Sequence, residues 1–506
     1  MKTFPSLDAC SDILQAVKAK ENQPDAITLA YEVTLITYMM GGGVIAGAPD
    51  DKMPFRTKSL RGHLRHWWRV LARGKKLSLN GTAMPETPDG WRSLEFSIWG
   101  GVQKESVHAS RIGLHIDKIE KLSIEQYEKT NQTATRQHWG ALAYALFPAK
   151  APQGQTLGLN LVRPGAKLRL TVTLKDKELK NDVEQVIKFW ATYGGFGART
   201  TRGLGAVRVH QIIDGKPDPK PLCALPPAWI EPHIKSAQGW ANDRQNMLAR
   251  PAENNPLVFR PLDTIMTVCL QAIAATPTIR YASLALNANE SHKAMIEKFQ
   301  AFRQRVNLAR NAGTNRPGRS YWPEGDAMRA KSAHYSPRHT PRSSVVPDHL
   351  PRADFGLPIT LDFLSDGPGN NATRDARDRD PLKRSLMPPM HDRMSSPLIL
   401  RPVAFGAMNE KGETAISYLA VATLINRVQL GESPGGVRSR YALTSVRIDP
   451  PAGTTKELPV WSQTWEAAAT DSPAHRYRSG KVFNDTKLKP ESAVDAFLNY
   501  FTSGDA

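Results

Sequence analysis

Cysteine is scarce and scattered: Cys10, Cys223 and Cys269 are the only three in 506 residues. An odd number at such wide spacing builds neither a disulfide framework nor a zinc site, so a reducing, cytoplasmic setting is the expectation. Long apolar runs are missing too, and no stretch approaches the length that crosses a bilayer. Met1 to Lys20 lacks the apolar core of a signal peptide, and no membrane partner is expected. No Gly-Lys-Ser/Thr phosphate loop occurs, and no Asp/Glu grouping is read as a metal-nuclease site. Neither a cofactor nor a metal is expected. Acid is in short supply, with 48 Asp and Glu against 67 Lys and Arg and a net charge of +19. That surplus favours a polyanionic partner, with nucleic acid ahead of an anionic membrane.

No Asp or Glu lies between Lys52 and Glu86. Inside that stretch a helix is expected from about Ser59 to Ala72. Leu60, Leu64, Trp67, Trp68 and Leu71 form its apolar stripe. Lys58, Arg61, Arg65 and Arg69 share a neighbouring face and repel one another. An anion outside the helix would relieve them, and a phosphodiester backbone fits because guanidinium pairs with phosphate through two parallel hydrogen bonds. Gly62 weakens the helix unless another backbone must come close. The competing reading is an ordinary amphipathic helix with solvated arginines.

The order of elements around this helix is legible. Ile27–Tyr38 alternates as a strand, and so do Ser110–Ile119, Ala166–Leu174 and Ala206–Ile212. Glu178–Tyr193 keeps a helical period. Strand, helix, two strands, helix, strand is the split βαβ pattern of ferredoxin-like domains, shared by RNA-recognition folds. Between the last helix and strand lies Gly194-Gly195-Phe196-Gly197-Ala198-Arg199-Thr200-Thr201-Arg202-Gly203-Leu204-Gly205. Its N–H groups, two hydroxyls and two guanidiniums suit phosphates, with the glycines allowing close approach. The plainer alternative is a tight turn carrying incidental charge. A Pro-rich boundary follows at Asp214–Pro227.

The second half is read as a strand at Thr264–Ile273, a basic helix at Lys293–Arg310, strands at Leu357–Leu364 and Leu398–Ala407, an apolar helical run at Ile416–Leu430 and a strand at Val437–Ile448. Tyr321 and Trp322 could stack on bases with Arg319 and Arg329 on the backbone, although for Trp322 alone a loop anchored by a buried tryptophan is the better explanation. Arg401 flanks the start of a strand and is a weaker candidate. His63 and His66, three residues apart on the arginine helix, are the candidates if the chain is a metal-independent endoribonuclease.

Several of these segments resemble the repeat-associated (RAMP) proteins of CRISPR systems, and most of all the first-numbered RAMP subunit of the type III-B Cmr complex. The resemblance lies in Tyr31–Thr37 with Gly41-Gly42-Gly43, in Ser59–Arg69, Phe96–Gly101 and Gly194–Gly205, and in Arg319–Arg329 and Ser396–Pro402. It implies an α+β fold of two ferredoxin-like (RRM-like, split βαβ) domains, here 1–250 and 251–506, with long insertions at 74–135, 311–351 and 366–384. It implies a structural subunit that contacts crRNA near its 3′ end or target RNA beside other Cmr RAMP subunits, target cleavage belonging to a different subunit. Lys58, Arg61, Arg65, Arg69, Arg199, Thr200, Thr201 and Arg202 are the expected RNA contacts, with Arg319, Trp322 and Arg401 as further ones.

Overall fold

The computed structural model describes residues 26–225 apart from 74–76, 78–84, 86, 104–105, 129–138 and 151–156. Beyond them it describes 267–268, 273–274, 279–285, 287–304, 324–331, 350–362, 383–389, 392–394, 396–408, 414–424, 445–452 and 454–459, with Val494, Phe497 and Phe501. The expected contacts Arg319 and Trp322, and the division at residue 250, lie outside the described residues. So do most of the expected insertions 311–351 and 366–384, whereas 74–135 is mostly described and supplies a helix and a strand of the first sheet, so it is not simply an insertion.

In the first half, alternation produces four strands: β1 (Ile27–Leu35), β2 (Ile112–Glu120), β3 (Lys167–Leu174) and β4 (Val207–Ile213). They pair antiparallel in the order β2-β3-β1-β4. With α1 (Thr57–Arg73) after β1 and α3 (Lys180–Tyr193) after β3, this is the split βαβ connectivity read from the sequence. Leu29, Tyr31, Val33 and Leu35 of β1 and Leu168, Leu170, Val172 and Leu174 of β3 face the helices. There they meet Leu60, Leu64, Trp67, Trp68 and Leu71 of α1 and Val183, Val186, Ile187 and Trp190 of α3 in one core. An additional helix, α2 (Pro88–Trp99), packs Trp91, Ile98 and Trp99 into the same core. It begins with Thr87, whose hydroxyl accepts from Gly90 N–H at 3.1 Å, and ends at Gly100.

The second half is mixed α+β with antiparallel sheets, but its described strands do not form one four-stranded sheet. Strands β5 (Ile279–Ala285), β6 (Leu398–Met408) and β7 (Thr414–Leu424) pair in the order β5-β7-β6. The helix α4 (Ala288–Gln304) packs Met295, Phe299 and Phe302 against Leu398, Leu400, Ala420 and Ala422. A separate four-stranded sheet runs through Ile359–Asp362, Lys383–Met387, Ser445–Ala452 and Thr455–Pro459. The helical expectation for Ile416–Leu430 is corrected here. Its first part is the central strand β7, paired on both edges, and a strand covered on both faces reads as an unbroken apolar run.

The two halves share a core. Ile399, Val403 and Phe405 of β6, with Leu419 and Val421 of β7, belong to the cluster built by the first sheet and its helices. The helix α3 runs beneath that contact, which is why Phe189, Trp190, Ala191, Thr192 and Tyr193 are all buried in its last turns.

Candidate nucleic-acid interface

The outer face of the first sheet is partly exposed over β1 and β3, but it is not a base-stacking surface. Recognition by stacking on a sheet needs aromatic side chains on the central strands. Here β1 turns Thr28, Ala30 and Glu32 outward, and β3 turns Lys167, Arg169, Thr171 and Thr173.

On α1 the four expected cations have different surroundings. Lys58 is exposed and has no partner among the described residues. Arg61 donates to Ser110 Oγ at 2.7 Å and to Ile112 O at 3.0 Å. Arg65 Nε and Arg69 Nε meet the two oxygens of Glu95 on α2 at 2.6 and 2.7 Å. Burial alone would raise the Glu95 pKa; hydrogen bonds from Arg69 and Arg65 outweigh it and hold the carboxyl below its ordinary value. Much of the anion that α1 lacks in sequence is therefore supplied by Glu95 from inside the chain. The outward stripe is Lys58, Gly62, His66 and part of Arg69. Nothing lies within 4 Å of where a Gly62 side chain would start, so no backbone of this chain requires that glycine. Burial lowers the pKa of His63, and neither His63 nor His66 meets a carboxylate among the described residues.

The glycine-rich loop is built differently from the expectation. Its glycines admit the chain's own backbone. A side chain at Gly205 would start 1.8 Å from Phe196 O, one at Gly195 2.4 Å from Gly205 O, and one at Gly203 2.7 Å from His292 Nε2. Thr37 Oγ1 donates to Gly203 O at 2.7 Å and fixes the loop to the end of β1. Arg202 lies inside the contact between the halves, 7% exposed, and donates to Leu398 O at 2.9 Å with its guanidinium 4.6 Å from the Phe299 ring. Arg401 is 1% exposed and crosses in the other direction, from β6 to Ala191 O at 2.9 Å and Val207 O at 3.1 Å. Ala191 lies in the last turn of α3, where carbonyls lack helical partners and a cation is favourable. Both guanidiniums donate to carbonyls across the junction, while Arg401 Nη1 is buried with no partner among the described residues. Arg199, Thr200 and Thr201, by contrast, stay partly open on the loop's outer side.

Residues 32–208 match the model of the RAMP superfamily. That segment, about a third of the chain, is similar to the RAMP superfamily. The matched segment begins within β1, takes in α1, α3 and the whole glycine-rich loop, and ends at the start of β4. A comparison with curated protein sequences finds no match. Among solved structures, the chain is similar to apo Cmr1 from Pyrococcus furiosus at 11% identity, over 81% of this chain and 92% of that one, with a TM-score of 0.37. A chain of the type III-B Cmr-beta complex bound to cognate target RNA and AMPPnP aligns at 11% identity over 79% and 95%, with a TM-score of 0.32. Cmr6 from Pyrococcus furiosus aligns at 17% over 36% and 96%, with a TM-score of 0.21. At scores this low no shared fold is drawn from the overlays. Among the described residues, no helix is long and apolar enough to cross a membrane.

Sequence reasoning missed Glu95, the partner of two expected RNA contacts, because the pairing joins two helices of different segments. It also passed over Tyr144 and Arg303. Arg303 closes the last turn of α4, where a cation near a helix C-terminus could have been singled out.

Proposed function

We propose that this chain is a RAMP protein, an RNA-binding structural subunit of a type III-B CRISPR ribonucleoprotein, contacting crRNA near its 3′ end or target RNA beside other Cmr subunits. What supports the reading most is the RAMP match over the segment that carries the exposed Lys58 and the open side of the Arg199–Thr201 loop, in a chain of net charge +19. The second half is proposed as a partner domain of the same design, since β5, α4, β6 and β7 follow one another as βαββ with the order β5-β7-β6. Cleavage is assigned to another subunit and the setting to the cytoplasm. Lys58, Arg199, Thr200 and Thr201 are the proposed backbone contacts. Arg61, Arg65 and Arg69 contribute field and any donors left over from Glu95 and Ser110, while Arg202 and Arg401 contribute field alone.

The test is the affinity of the purified chain for single-stranded RNA and DNA against salt. The slope of log K on log salt is expected near −0.7 per phosphate neutralised, with RNA preferred over DNA. Lys58→Ala, which breaks no hydrogen bond or ion pair among the described residues, should make the slope shallower by about 0.7. Absence of RNA affinity at low salt, or equal affinity for both nucleic acids, would sink the reading.

A further inference from the structure

Three arginines gather at one rim of the junction between the halves. Arg199 comes from the glycine-rich loop and donates to Ala145 O at 3.0 Å. Arg303 comes from the last turn of α4 and donates to Tyr144 Oη at 3.3 Å. Arg202 lies beneath them, and the guanidiniums of Arg202 and Arg303 stand 4.6 and 5.9 Å from the same Phe299 ring. No carboxylate among the described residues forms an ion pair with any of the three. Like charges at such spacing repel, and burial strengthens the repulsion. The α4 C-terminus offsets part of this at Arg303 alone.

The backbone gives a second, independent sign. Arg199 has φ +58° and ψ +31°, in the left-handed region. Gly197, Gly203 and Gly205 of the same loop also have positive φ, and glycine takes that conformation without strain. At Arg199 the chain accepts a side chain where glycine would be easier, and such strain is found where a side chain is used. Arg199, Tyr144 and Arg303 are each partly open to solvent, and one hydrogen bond apiece leaves most of both guanidinium forks unspent.

We propose that Arg199 and Arg303, with the Tyr144 hydroxyl between them and Arg202 as a buried positive floor, form a seat for one phosphodiester of bound RNA that spans the two halves. This deepens the RNA-binding reading and rests on it. Arg303 and Tyr144 are its new members, and RNA seated here touches both halves at once. The experiment uses the full chain, single-stranded RNA carrying a 5′-hydroxyl, and inorganic phosphate as competitor. Arg303→Gln and Arg199→Gly should each weaken RNA binding about tenfold and make the salt slope shallower by about 0.7. Arg199→Gly should do so with its melting temperature unchanged or raised, because the strain is relieved. If both variants bind RNA like the wild type while the wild type still binds it, the seat is wrong and the broader reading stands. A lowered melting temperature in Arg199→Gly with RNA affinity intact would show a purely structural arginine. Stabilisation of the wild type by millimolar phosphate, lost in Arg303→Gln with no change in RNA affinity, would assign the seat to a free anion and overturn the proposal.

Discussion

His292 shows what the junction demands of single residues. It is fully buried, and its Nε2–H donates to Arg202 O at 2.7 Å. Burial, and then the charge of Arg401, push its pKa down to about 4 from 6.5, against the pull of the Arg202 carbonyl. The folded state holds this imidazole neutral, whereas the unfolded chain protonates it below 6.5. Its contribution to stability is therefore full above pH 6.5 and is lost as pH falls from 6.5 towards 4. Between about pH 7.5 and about pH 5 the expected loss is about 2 kcal/mol. Urea midpoints at the two pH values measure it. His292→Gln keeps an N–H donor near the same place and should flatten the dependence; an unchanged dependence in that variant would place the titration elsewhere.

At the scale of elements, α1 separates what a sequence shows from what it hides. Its apolar stripe and its start near Ser59 follow from local spacing, and the helix runs from Thr57 to Arg73. The fate of its arginines depends on Glu95 and Ser110, residues whose position is fixed only when α2 and β2 have docked. The same holds for the glycine-rich loop. Five glycines around two arginines read as a ligand cradle or as a tight self-packed turn; the distances at Gly195 and Gly205 show that these glycines admit the chain's own backbone, while Arg199, Thr200 and Thr201 stay partly open. Gly62 remains the exception, a helix-weakening residue with open space around it. Gly62→Ala is expected to stabilise the chain by roughly 0.5–1 kcal/mol, since alanine reduces the entropy lost on folding. A urea titration checks it. A loss of stability would mean that the face around Gly62 is not open in the free protein.

At the scale of the whole molecule, the split βαβ half was legible because each strand there has one buried face and alternates. The second half was less so, because β7 is buried on both faces and the alternation is erased. The joint between halves was not legible at all. Ile399, Val403 and Phe405 read as one more strand, and only the fold shows that they complete the core of a sheet some two hundred residues earlier in the chain. Sharing a core has a thermodynamic consequence that differs from two domains on a linker. Phe405 is 1% exposed and lies in the same cluster as Val209 and Trp190. Phe405→Ala should cost about 3–5 kcal/mol through lost burial and the cavity left behind. Trp67, Trp68, Trp91, Trp99, Trp139 and Trp190 belong to the first half, and replacing Trp322, Trp461 and Trp465 of the second half by Phe makes tryptophan fluorescence a probe of the first half alone. If the halves unfold together, Phe405→Ala in the second half lowers the urea midpoint read by tryptophan fluorescence and the one read by far-UV circular dichroism by the same amount. If they unfold separately, the tryptophan transition stays where it is in the wild type, and Arg202, Arg401 and the shared apolar surface hold the halves in register without coupling their stability.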